Sequence, residues 1–124
     1  MVEQVFYTSG IGKCRVNLMV SVTAGGGLVA QLYGGDKPHV GAVAISLPRP
    51  SLSNVSKISC NTSVIPMLGH KDDEVAKPVA EEIAVAFSKP VVVVAGIHVD
   101  NAGPEVIKEI VENCHNVVRM LTKK

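Results

Sequence analysis

A chain of 124 residues has length for one domain that buries roughly two-thirds of its unfolded surface, and none for a second core. Hydrophobic residues make up 47% and charged residues 19%, and Phe6, Phe87, Tyr7 and Tyr33 are the only aromatics, so Val, Ala, Ile and Leu must build the core, a composition that suits strands packed under helices. Twelve basic and eleven acidic residues give a net charge of +1 with no basic cluster, which argues against nucleic acid and against an anionic membrane as partners.

The opening Met1-Val2-Glu3-Gln4 has no basic n-region or long apolar h-region, and no apolar run reaches bilayer length, so cytoplasmic residence is expected. Residues 4–9 are a candidate strand before the Gly10-Ile11-Gly12 turn. Over 15–23, Val16, Leu18, Val20 and Val22 alternate with Arg15, Asn17, Ser21 and Thr23, the pattern of a half-buried strand. Ala24-Gly25-Gly26-Gly27 breaks it, and Leu28, Ala30 and Leu32 resume it up to Gly34-Gly35, predicting an antiparallel hairpin. The same glycines match a dinucleotide fingerprint in form, but the few residues before Gly34 leave no room for a crossover helix.

A third strand is predicted over 40–47, ending at Pro48 and Pro50, which lack ladder donors. Residues 48–66 are rich in Ser, Asn and Pro and read as a long loop with one short strand near 55–58. Val75, Val79, Ile83 and Phe87, with Ala76, Ala80 and Ala84 beside them, form the stripe of an amphipathic helix. Asp72 or Asp73 would cap it, with Pro78 either bending it or marking a later start. Val91 to Ile97 is apolar and mostly β-branched, which predicts a central strand buried on both faces. Gly103-Pro104-Glu105 then opens a helix whose stripe is Ile107, Ile110, Val111, Cys114, Val118 and Leu121. The predicted fold is an α+β two-layer sandwich, a mainly antiparallel sheet with two helices on one face.

Cys14, Cys60 and Cys114 are odd in number, far apart and without a Cys-x-x-Cys pair, so they read as reduced structural thiols. Asn54 and Asn61 head glycosylation-type triplets that read only as loop residues without export. Three of the four histidines stand in glycine-flanked polar clusters at the ends of apolar segments: Pro38-His39-Val40-Gly41, Gly69-His70-Lys71-Asp72-Asp73 and Gly96-Ile97-His98-Val99-Asp100-Asn101. Imidazole is the commonest metal ligand and the usual proton carrier near neutrality, so these clusters are expected to converge on one site. His98 follows a buried strand and precedes a helix, the place where α/β proteins collect ligands. Each histidine alone could equally shape a turn. His115 lies on the flank of the last helix's stripe and is set aside.

His39, His70 and His98 with a carboxylate from Asp72 or Asp73 would suit Zn²⁺, Mn²⁺ or Fe²⁺, although the spacing lacks an i, i+4 pair. The flexible Gly34-Gly35-Asp36-Lys37 backbone could lie against a phosphate, and Lys71 and Arg49 offer further cations. No Gly-x-Ser-x-Gly elbow, phosphate-binding Walker loop or His-Glu-x-x-His motif is present.

Read together, the segments Gly34-Gly35-Asp36-Lys37-Pro38-His39-Val40-Gly41, Gly69-His70-Lys71-Asp72 and Ala95-Gly96-Ile97-His98-Val99-Asp100-Asn101 resemble the LpdD-like family over nearly the whole chain, 1–124. These are the small D subunits of gallate and hydroxyarylic acid decarboxylases, viewed as chaperones for prenylated flavin mononucleotide (FMN). The resemblance implies a non-catalytic, homodimeric accessory protein that handles prenylated FMN and a divalent metal between a flavin prenyltransferase and a UbiD-like decarboxylase. On this reading His39, His70 and His98 carry over, with Lys71 and Asp72 from the second motif; taken with the residue chemistry above, His39, His70, His98 and Asp72 are the expected metal ligands, and Gly34, Gly35, Lys37, Gly41, Arg49, Lys71 and Asn101 the expected cofactor-binding residues. A small metal-dependent hydrolase using histidine-bound ion and water is the rival expectation, and a structural dimer with turn-forming histidines is a third.

Overall fold

The computed structural model describes residues 3–67 and 72–123. In chain order the elements are β1 (Glu3–Ser9), a 3₁₀ turn (Gly12–Cys14), β2 (Val16–Thr23), β3 (Gly27–Gly35), β4 (Ala42–Pro50), β5 (Ile58–Pro66), α1 (Asp73–Phe87), β6 (Val91–His98) and α2 (Pro104–Thr122). The strands form one six-stranded sheet in the order β1-β2-β3-β6-β4-β5. Every pairing is antiparallel except β3 with β6. The α+β sandwich expected from composition and pattern is what the chain forms.

The alternating strands bury one face. Val16, Leu18 and Val20 of β2, Leu28, Ala30 and Leu32 of β3, Ala42 and Ala44 of β4, and Val91, Val93 and Ala95 of β6 make a continuous apolar floor. On it rest Ala76, Val79, Ala80, Ile83 and Ala84 of α1 and Cys114, Val117, Val118 and Leu121 of α2. The small side chains of α1 let its backbone lie close to the sheet, and close packing of this kind holds the two layers together. Buried Asn113 ties α2 to the start of the chain: its amide donates to the Cys14 carbonyl at 2.8 Å, and its oxygen accepts the Ser9 hydroxyl at 2.8 Å.

Several details depart from the sequence expectations. β6 is central, as expected, but it inserts between β3 and β4, so the β3–β4 connection must pass across its carboxyl end. β6 is buried mainly on its helix-facing side; on the other, Val92 and Val94 are half-buried and only Gly96, under the 36–41 connection, is fully covered. β4 runs through both prolines to Pro50, because beyond Ser46 it has β5 alone as a neighbour and no ladder on its other side needs their missing N–H. β5 is a nine-residue strand rather than a short one within a loop. Its polar residues concealed it: Asn61 and Ser63 face outward, while inward Thr62 donates to Glu81 at 2.7 Å and shares a hydrogen bond with Ser46 at 3.1 Å. α1 starts at Asp73 with Asp72 in the N-cap position and carries Pro78 in its interior. In α2 the stripe divides, for Cys114, Val118 and Leu121 are buried whereas Ile107 and Val111 are exposed.

Candidate functional site

The site follows from the insertion of β6. The connection over 36–41 crosses the end of β6 and is held there by backbone bonds: the Asp36 and Lys37 amides donate to the His98 carbonyl at 2.7 and 3.3 Å, and the Gly41 amide donates to Ala95 at 2.8 Å. His39 thereby lies directly over Gly96. A β-carbon at Gly96 would run into the His39 carbonyl, and one at Gly41 into the Asp72 carboxylate, so both positions require glycine for space.

β4 pairs with β6 only as far as Ala42 opposite Ala95, which leaves the next β6 amide, that of Ile97, without a strand partner. Asp72 takes it, accepting the Ile97 N–H at 2.9 Å through Oδ1. This explains why Asp72 makes no side-chain capping bond to α1 although it stands at the N-cap. Its other oxygen faces His39 Nε2 at 3.1 Å, and Asp72 is only 5% exposed. His39 Nδ1 meets the Lys37 carbonyl at 2.9 Å, so both ring nitrogens face acceptor oxygens.

His98 approaches from the strand end. Its ring stands edge-on to that of His39, with centroids 6.0 Å apart, and its Nε2 pairs with Asp100 at 2.8 Å. Lys37 Nζ lies 3.6 Å from the other Asp100 oxygen. The His98 hydrogen bond, followed by the Lys37 charge, holds the Asp100 carboxyl below the usual carboxylate range. Asn101 adopts a left-handed conformation, φ 54°, at the turn into α2.

Beside this cluster a cleft of about 490 Å³ opens between α1, α2 and the end of β6. Val75, Pro78, Ile97, Ile107, Ile110 and Val111 give it apolar walls, while Asp72, Glu74, His98 and His115 provide its polar groups. Ala102, one residue before the α2 N-cap Gly103, lines it too, so the first turn of α2, which has no side-chain cap, stands at its rim. Beneath the site, burial and then the Asp72 charge push the Cys114 thiol up to about 12.

The structure thus brings together His39, Asp72, His98 and Lys37, with Gly35 and Gly41 bounding the connection and Asn101 close in sequence to the α2 start. Gly34 pairs with Ile97 one register step away. Arg49 stands near the opposite end of β4, donating to Asn61 at 2.8 Å and to the Pro50 carbonyl at 3.0 Å. His70 and Lys71 lie outside the described residues. Sequence reasoning missed two contributors. Asp100 is signalled only by its i+2 spacing from His98, and the cleft walls of α2 read as core because their periodicity matches residues that do reach the sheet.

Among the described residues no three His, Cys, Asp or Glu side chains are grouped to hold a metal ion. His39 and His98 instead form two separate carboxylate pairs. The donor set for the expected ion is therefore not assembled from these residues. Also among them, no helix is long and apolar enough to cross a membrane.

In fold, the chain is similar to a protein in the crystal structure of a chaperone complex for yeast 20S proteasome assembly, with TM-score 0.57, 15% identity and 96% of each chain covered. No curated protein matches the sequence. The domain family described as prenylated flavin chaperone LpdD-like matches residues 10–124, a span that takes in the whole β3–β4 connection, Asp72, His98 and both helices. The chain belongs to the LpdD-like family of prenylated flavin chaperones.

Proposed function

We propose that this protein holds prenylated FMN at the carboxyl end of β6 and passes it from a flavin prenyltransferase to a UbiD-like decarboxylase, without turning over a substrate itself. The observation that carries this reading is the meeting of His39, Asp72 and His98 beside an apolar cleft, in a chain of this family. Roughly 300–1,000 Å³ is the usual range of small-molecule sites, and apolar walls with a few fixed polar groups suit a tricyclic ring carrying a hydrocarbon addition. The first turn of α2 offers its positive pole to the phosphate, with Lys37 and His98 nearby as cationic or hydrogen-bonding partners. Bound there, the flavin supplies the electron-rich ring chemistry that the decarboxylase later uses, and the chaperone's part is to exclude water and oxygen. The described donors give no closed metal shell, so no step in this reading passes through an ion.

Anaerobic titration with reduced prenylated FMN, followed by flavin fluorescence, tests the proposal. Saturable binding that weakens at least about tenfold in Val111→Trp, which fills the cleft, is expected. Absence of binding by both prenylated and ordinary FMN would overturn it.

A further inference from the structure

Pro78 stands in the interior of α1 and lines the cleft, and so does Glu74 one turn before it. In an α-helix the carbonyl of residue 74 is aimed along the axis at the amide of residue 78. Proline has no N–H to give, and its ring pushes that carbonyl away from the axis. Both residues are exposed on the cleft-facing side of the helix, so the released oxygen opens toward the cleft. Water holds it there until a ligand arrives, which spares α1 the cost of a buried, unpaired backbone group.

The other polar groups on the α1 side are the carboxylates of Asp72 and Glu74, which accept and do not donate when ionised. His98 turns its Nε2 to Asp100 at 2.8 Å, and His115 sets its Nδ1 3.9 Å from Glu82. The α1 wall is therefore a wall of acceptors. The rim formed by α2 is its opposite. Pro104 has no amide, the Ile107 amide donates to the Gly103 carbonyl at 3.1 Å, and Gly103 has no side chain to serve as a cap. The Glu105 and Val106 amides thus lie ahead of the first helical hydrogen bond, as free donors. Donors on one side and acceptors on the other suit a ligand with an anion at one end and an N–H on the edge of a flat ring.

We infer that the Glu74 carbonyl, freed by Pro78, is the specificity group of the cleft and accepts the ring N–H of a cyclic imide. The inference rests on the flavin reading above and adds the orientation of the ring, with the phosphate toward α2 and the imide edge against α1. Oxidised FMN has a single ring N–H, at N3 between two carbonyls, so the contact is one bond that can be removed from either side. A deprotonated, anionic imide would be repelled by the same wall, because the Asp72 and Glu74 carboxylates stand on it.

Titrations of wild type and Pro78→Ala with FMN and with N3-methyl-FMN, followed by flavin fluorescence, test it. Wild type is expected to bind FMN about fivefold more tightly than the N3-methyl form, the worth of one neutral hydrogen bond. Pro78→Ala restores the helical amide, which then occupies the Glu74 carbonyl. Its melting temperature should rise, because a proline inside a helix is destabilising. Its affinity for FMN should nevertheless fall about fivefold, and its preference over the N3-methyl form should shrink toward one. A proline that only shaped the cleft would change both ligands alike. Glu74→Ala removes the carboxylate and keeps the carbonyl, so it should retain the preference. Equal binding of the two flavins by wild type, a preference that persists in Pro78→Ala, or one that vanishes in Glu74→Ala would overturn the inference while leaving flavin binding in place. Failure of wild type to bind FMN would overturn it too, whereas the flavin reading falls only if prenylated FMN fails as well.

Discussion

Asp72 replaces a strand. Its Oδ1 sits 2.9 Å from the Ile97 amide, at the ladder position next beyond the Ala42–Ala95 pair where β4 leaves β6. One carboxylate therefore ends the sheet and orients His39 through its second oxygen, while the Asp72 backbone carbonyl accepts the first amides of α1. Asp72→Ala is expected to destabilise the protein by about 2 kcal/mol, since it leaves a part-buried amide and His39 Nε2 without their acceptor. Asp72→Asn keeps a carbonyl oxygen for Ile97 and should lose less than half as much. Urea unfolding of the two variants measures the difference, and equal losses would show that the ladder bond is not the main contribution.

Gly96→Ala tests how tightly the 36–41 connection is laid over β6. The added methyl meets the His39 carbonyl, a backbone atom that moves only if the connection moves with it. A loss of about 1–3 kcal/mol is expected from overpacking. His39 should shift with the backbone, so flavin affinity should fall along with the melting temperature. Gly103→Ala, where an added β-carbon has open space, is the control and should change the melting temperature little.

Where one face is buried and the other wet, the sequence period alone reveals the element, and β2, β3 and α2 are legible from Val16, Leu32 and the Pro104 start. β5 is not, because half-buried Thr62 turns inward for its hydrogen bonds to Ser46 and Glu81 rather than for apolar contact. The convergence of His39 with His98 was suggested by polar clusters at segment ends, yet its cause is topological. β6 enters between strands made some fifty residues earlier, and no local pattern encodes which gap a central strand will fill. The side-chain pairings were hidden for a related reason: Asp72 read as a helix cap, and only the vacated Ile97 amide diverts it.

The cysteines should differ sharply in reactivity. Cys114 is fully buried and its thiol is pushed from an ordinary 9.0 to about 12, first by burial and then by Asp72. Cys14 is buried as well, its thiol raised chiefly by a hydrogen bond with Glu109. Cys60 is partly exposed on β5. Iodoacetamide at pH 8 is expected to label Cys60 in the native protein and to reach the other two only on unfolding, because the thiolate is the reactive form. Peptide mass mapping reads this directly. A raised folded-state pKa adds stability that is complete below the unfolded value and is lost as pH climbs toward the folded one. Wild type should therefore weaken between about pH 9 and 12, and Cys114→Ala should show a shallower decline there.

For Asp100, on the acid side, the sign reverses. Its folded pKa lies below the unfolded one, so its contribution is complete above the usual carboxylate range and disappears as pH falls through the lowered value. The hydrogen bond from His98 outranks the charge of Lys37 as the cause. His98→Ala should accordingly return Asp100 further toward the ordinary range than Lys37→Ala does, which carboxyl ¹³C shifts followed across an acid titration would resolve. Asp100 is more than half exposed, so solvent screening keeps the effect on global stability small and the local titration is the sensitive readout. If Lys37→Ala produced the larger return, the clamp on the 36–41 connection would be an ion pair, and raised salt would release it. With His98 dominant, the Asp100 titration should stay nearly unchanged from low to moderate ionic strength, because a 2.8 Å hydrogen bond is far shorter than the roughly 10 Å over which salt screens.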